Sequence, residues 1–275
     1  MTGRRAGLGV VVAALVVWSL APAVWQVLTA LKPDRDITRT PTVYLPDPVT
    51  WKHVEALWER KPFGVYLANS AGISGAATLL ALVLAAPAAS ALGRLPERSR
   101  RTILRALVVL TLFPPILLLF PLYEAVRALG GLNRPLALIL PYAALSLPLA
   151  IWILERGFGQ IPAAVEEAAI LDGLGPLSRV VRIQLPLAAP SLVTAAILVF
   201  IFSWNEFMLA LTFMTRDQAK TVTAGIASVS GSSMFEIPWG QLSAAIVIAT
   251  LPLVLLVLLF ERRIASGLTR GAIKG

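Results

Sequence analysis

The chain has 275 residues, 57% of them hydrophobic and 14% charged, with a formal net charge of +9. That is too apolar for a soluble globular domain, and the absence of cysteine leaves neither a disulfide framework nor a thiolate metal site. The only histidine, His53, lies in a polar stretch, which excludes a histidine-based catalytic or zinc constellation.

A membrane helix needs about 20 mostly apolar residues. The first segment that qualifies is 8–31. It is longer than the core of a signal peptide and lacks a clear A-x-A exit, so it reads as an uncleaved span, with a cleaved signal as the alternative. Residues 32–64 are polar and proline-rich, and Trp51, Trp58 and Tyr66 are candidate anchors at the membrane interface. A second span is expected over 65–93 and a third over 103–127. Pro114-Pro115 is the place in the third for a real break, since two ring nitrogens donate nothing. The fourth span is 135–155, the fifth 186–213 and the sixth 240–260, followed by a tail, 261–275. Pro22, Pro87, Pro121, Pro141, Pro148 and Pro252 also fall within or near the spans, and kinks rather than breaks are expected at most of them.

Charge sets the orientation. Arg4 and Arg5, the cluster Arg94 to Arg105, the group Arg156, Arg179 and Arg182, and the group Arg262 to Lys274 fall on one side if there are six spans. Together they hold 14 of the 24 Lys and Arg residues. The positive-inside rule then puts both termini and the connection between spans four and five in the cytoplasm. The basic residues sit in patches between apolar runs, which argues against nucleic acid as the partner.

That connection, 161–186, carries the most specific pattern in the chain: E-A-A, three residues, G, nine residues, I-x-L-P. It is filled by Glu167, Ala168, Ala169, Gly173, Ile183, Leu185 and Pro186. Pro162 suits a first helical turn, 163–171 are good helix formers, and Gly173 can take the left-handed conformation that ends a helix. Pro176 can open a second helix, carrying Arg179, that runs into span five at Pro186. Ala168 and Ala169 leave a low surface for close approach by another protein. Glu166, Glu167 and Asp172 offer acceptors for its Arg or Lys side chains. A solvated, ordinary helical connector is the plainer reading of the same charges.

Span five contains Trp204, Asn205 and Glu206 in an otherwise apolar run. An intramembrane carboxylate is a functional candidate by default, here as part of a cavity wall. The alternatives are a tie between helices and a side chain snorkelling to the outer interface. Tyr142 and Ser146 are further cavity candidates.

The E-A-A loop, the stretch FIFSWNEFMLAL and the C-terminal GLTRGAIKG together resemble the carbohydrate branch of binding-protein-dependent ABC importers, in particular the smaller membrane subunit of maltose- and trehalose-type importers. The resemblance covers nearly the whole chain. It implies an all-α membrane protein of six transmembrane helices, a single permease domain over 1–275, with a cytoplasmic EAA coupling-helix loop. It implies import of a sugar by alternating access, with a related second permease subunit, two ATPase subunits and an extracytoplasmic sugar-binding protein as partners. The coupling residues it implies are Glu166, Glu167, Ala168, Ala169, Asp172, Gly173 and Arg179. The substrate path would take Trp204, Asn205, Glu206, Tyr142 and Ser146. No cofactor is expected in this chain, since it has no P-loop motif, and ATP and Mg belong to the partner ATPase. The expected location is the plasma (inner) membrane of a prokaryote. An ABC permease for another solute, such as glycerol phosphate or an oligosaccharide, is the nearest alternative. An ion-coupled carrier is the alternative from another class, and Glu206 is nearly alone as the embedded carboxylate such a carrier needs.

Overall fold

A computed structural model describes the backbone of residues 2–229 and 237–269 and the side chains of 7–229 and 237–260. The tail side chains from 261 onward, and those of Arg4 and Arg5, lie outside the described residues. Among the described residues the secondary structure is helical, with no strand. In chain order the helices are α1 (Thr2–Ala30), α2 (Asp34–Ile37), α3 (Lys52–Arg60), α4 (Phe63–Leu92), α5 (Glu97–Thr111), α6 (Leu119–Ala128) and α7 (Leu136–Phe158). They continue as α8 (Ala163–Leu171), α9 (Pro176–Arg179), α10 (Leu185–Leu187), α11 (Ala189–Asn205), α12 (Met208–Phe213), α13 (Val222–Ala227) and α14 (Trp239–Thr269). Among the described residues four helical stretches are long and apolar enough to cross a membrane: Gly7–Ala30, Phe63–Leu92, Leu136–Phe158 and Trp239–Phe260. The count becomes six when each of two bent helix pairs is taken as one span.

Proline behaves differently in different places. Pro22, Pro87, Pro141, Pro148 and Pro252 all lie inside continuous helices. At Pro114-Pro115 the helix does end. A residue before proline is driven out of the helical region, and Pro114 adopts φ −64°, ψ 117°. A 3₁₀ turn, Pro115–Leu118, then leads into α6, and the two limbs of span three meet at 80°.

Span five departs from the expectation of one helix over 186–213. It is broken twice. Ala188 leaves the helix at φ −94°, ψ 22°, and α11 restarts with Pro190 in its first turn, so the segment before it is bent by 90°. A second interruption falls at Glu206, which is extended (φ −65°, ψ 130°), before α12. The second limb of the 161–186 connection also contains a π-helical turn, Val180–Gln184, where a plain helix was expected.

The chain divides into two compact units. In the first, residues 1–64 and 225–252, the polar stretch after α1 is partly helical. His53 Nε2 donates to the Lys32 carbonyl at 2.8 Å, and Gly240 of α14 lies so close to the His53 ring that an added Cβ would sit 2.3 Å from it. In the second unit, residues 65–224 and 253–275, Ala77, Ala81, Ala85 and Ala89 form a fully buried stripe on α4. Small residues at this spacing let helices approach closely where lipid supplies no hydrophobic drive. Ala81, Ala85 and Ala89 join one core with Ala150 and Leu154 of α7 and Ala195 and Val199 of α11. Tyr66, expected at the interface, is fully buried, whereas Trp51 and Trp58 are exposed.

Candidate coupling site

Segment 161–186 builds an exposed elbow on a clamped base. Pro162 stands at the N-cap rather than in the first turn, and α8 begins at Ala163. At the other end Gly173 is left-handed, φ 77°. The Leu174 N–H donates to the Ala169 carbonyl and the Gly173 N–H to that of Ile170, each at 3.0 Å. This is a Schellman ending, and it satisfies two carbonyls that a helix terminus otherwise leaves orphaned.

The face of α8 is divided. Ala169 is buried, and Glu166 is half-buried with its Oε1 accepting from Gln184 Nε2 on the π turn. Glu167, Ala168 and Asp172 are exposed. The apex is apolar: Leu171 is 88% exposed, with Ile170 and Leu177 also exposed around it. Such side chains at the tip of a polar connector are costly in water and suit a protein partner. Arg179 lies beneath this surface as a buried residue, and its Nε donates to no partner among the described residues.

The base is held by Gly157 on the last turn of α7. A Cβ there would stand 2.5 Å from Ser191 Cβ, so the helix entering the connection and the helix leaving it touch through a glycine. Sequence reasoning missed Gln184, the apolar apex and Gly157. Gln184 occupies the unconstrained position of I-x-L-P, and nothing local marks it as the partner of a residue 18 positions away.

The second group is brought together only in part. The Glu206 carboxylate accepts from Tyr142 Oη at 2.6 Å and from the backbone N–H groups of Leu209 and Ala210 at 2.9 and 3.1 Å. The Thr223 hydroxyl donates to the Glu206 carbonyl at 2.8 Å. Glu206 thus caps α12 across the gap and ties it to α7. Trp204 is buried and stacks on Phe200, ring centroids 5.7 Å apart. Ser146 is buried, with no hydrogen-bond partner for its hydroxyl among the described residues. Asn205 is exposed, its amide donating to the Ile201 carbonyl at 2.8 Å. No group of three or more His, Cys, Asp or Glu suited to a metal ion occurs among the described residues.

Residues 77–270 match the family described as the binding-protein-dependent transport system inner membrane component. The chain belongs to this family. It is 41% identical, over the full length of both chains, to the trehalose transport system permease protein SugB of Mycobacterium tuberculosis. It is 40% identical to the trehalose/maltose transport system permease protein MalG of Thermococcus litoralis, covering 93% of this chain and 92% of that one. Its fold is similar to a chain of a bacterial ABC transporter involved in import of the acidic polysaccharide alginate, with a TM-score of 0.78 at 19% identity over 95% of this chain and 97% of the other. This permease is therefore a multi-pass, all-α inner-membrane protein and a transporter subunit, not an enzyme.

Proposed function

We propose that this permease imports a sugar, a disaccharide such as trehalose or maltose, and that an ATPase subunit grips it at 161–186. The observation that carries the docking role is the apolar apex on a clamped elbow. Leu171 stands in the open, and the Schellman ending and the Glu166–Gln184 bond make the elbow one stiff body. Glu167, Ala168 and Asp172 are the exposed polar and low surface around it, Ala169 packs the helix down, Gly173 forms the bend, and Arg179 supports the second limb from below.

The complex is completed by a second related permease subunit, two ATPase subunits that bind ATP and Mg, and an extracytoplasmic sugar-binding protein. A relative in fold is a transporter in complex with a pentasaccharide-bound periplasmic protein, which supports the last of these. The names of the relatives at 41% and 40% identity support the sugar class. Both termini are cytoplasmic. Energy enters because ATP and the loaded binding protein each favour one of two states over the other, and the chain alternates between them. In the substrate path Asn205 offers its exposed amide, while Glu206, Tyr142, Trp204 and Ser146 shape the wall around the break in span five.

The test is purification of the tagged permease from membranes, followed by mass spectrometry and uptake of labelled trehalose and maltose. An ATPase and a second permease should co-purify, and uptake should require ATP. A chain that purifies alone and moves sugar without ATP contradicts the proposal.

A further inference from the structure

Among the described residues, helix α5 is held to the rest of its unit by a narrow seam. It has no fully buried residue. Arg100, Leu104 and Leu107 are its half-buried residues on one face, at i, i+4 and i+7, and the two leucines pack against the α4–α7–α11 core. Leucines can slide along such a surface. Arg100 is the directional member of the seam. Its Nε lies 3.2 Å from Glu155 Oε1 on α7 and 3.4 Å from Glu97 Oε2 on its own helix, an ion contact rather than a linear hydrogen bond.

Glu155 is 4% exposed, one turn from the end of α7. Burying a carboxylate there costs several kcal/mol that its partner must offset, and an apolar residue would hold the contact as well or better. Stability alone therefore gives little reason for the pair. Its position gives another. Glu155 and Gly157 are two residues apart, hence about 200° apart around the helix. One face of the last turn of α7 meets α5 through Glu155. The other meets α11 through Gly157, against Ser191. The coupling segment begins on the next turn. Beyond α5 the chain bends by 80° at Pro114-Pro115, so α5 ends there as a separate helical limb.

We propose that Arg100 and Glu155 are positioning residues that pass movement of the 161–186 elbow to the broken third span. This rests on the coupling role proposed above. When the elbow moves, the last turn of α7 moves with it, and the ion contact carries α5 along where the leucines would slip.

The test uses the assembled complex in proteoliposomes with its loaded binding protein, reading labelled sugar moved per ATP hydrolysed beside a melting curve. Glu155→Gln should assemble, keep basal ATP hydrolysis, and lower sugar moved per ATP by about fivefold or more, the lower end of typical coupling between sites. Arg100→Gln should do the same. The swap Arg100→Glu with Glu155→Arg should restore part of the loss, whereas Glu97→Gln should leave transport per ATP unchanged. Normal transport per ATP in both single variants, with only a lowered melting point, overturns the strut. Failure of both to assemble assigns the pair to folding and overturns it as well. A wild-type complex without sugar-stimulated ATP hydrolysis sinks the importer reading itself, and the strut with it.

Discussion

Gly157 and Gly173 are both glycines that the fold requires, for different reasons. At Gly173 the reason is conformation, since φ 77° costs an L-residue about 1–2 kcal/mol and is closed to proline. Gly173→Pro should remove the bend and abolish recovery of the ATPase with the complex, while Gly173→Ala should weaken both only partly. Quantitative pull-down from membranes decides this, and normal recovery with Gly173→Pro contradicts it. At Gly157 the reason is space, because a Cβ would meet Ser191 at 2.5 Å. Overpacking costs about 1–3 kcal/mol, so Gly157→Ala should lower the melting point, and adding Ser191→Gly should recover most of it. Glu206 is a third case. Tyr142→Phe removes one of its bonds and should cost about 0.6 kcal/mol, the average for a membrane side-chain hydrogen bond. Glu206→Gln should cost more, because the backbone N–H groups of α12 lose a charged acceptor. If melting of the purified complex is unchanged in both, the break in span five is not held by this carboxylate.

At the scale of elements, what the sequence reveals depends on how local the cause is. Lipid demands about 20 apolar residues, so the helix over 7–30 and the start of α14 near 240 were legible. The break at Pro114-Pro115 was legible because both causes, the missing donors and the restricted Pro114, are adjacent in sequence. The Schellman bend at Gly173 was legible for the same reason. The breaks at Ala188 and Glu206 were not. Proline alone does not decide, since Pro87 and Pro141 sit inside unbroken helices while Pro190 opens a new one. At Glu206 part of the bonding is remote, since its carboxylate accepts from Tyr142, 64 residues away, and its carbonyl from Thr223. The burial of Arg179, a coupling residue implied by the resemblance, also needed the fold, since residue type shows its charge and not its surroundings. Leu171 and Ile170 count as core by residue type, so their exposure needed the three-dimensional fold. Leu171→Asp should keep α8 folded, since its side chain touches little, and reduce ATPase recovery by at least about tenfold, roughly one desolvated hot-spot contact. Full recovery would move the docking surface elsewhere.

At the scale of the molecule, the orientation of the chain and the place of docking stand or fall together. If the basic patches face the cytoplasm, then 161–186 does too. The most direct test uses the absence of native cysteine. Leu171→Cys, treated in intact membranes with a short thiol-to-amine cross-linker, should give an adduct that mass spectrometry identifies as this permease joined to an ATPase. It should react with a membrane-impermeant thiol reagent only in inside-out vesicles, whereas Asp47→Cys should react only in right-side-out cells and give no ATPase adduct. A Leu171→Cys chain that is labelled from outside the cell, or that yields no ATPase adduct in membranes still capable of ATP-driven sugar uptake, would contradict the account.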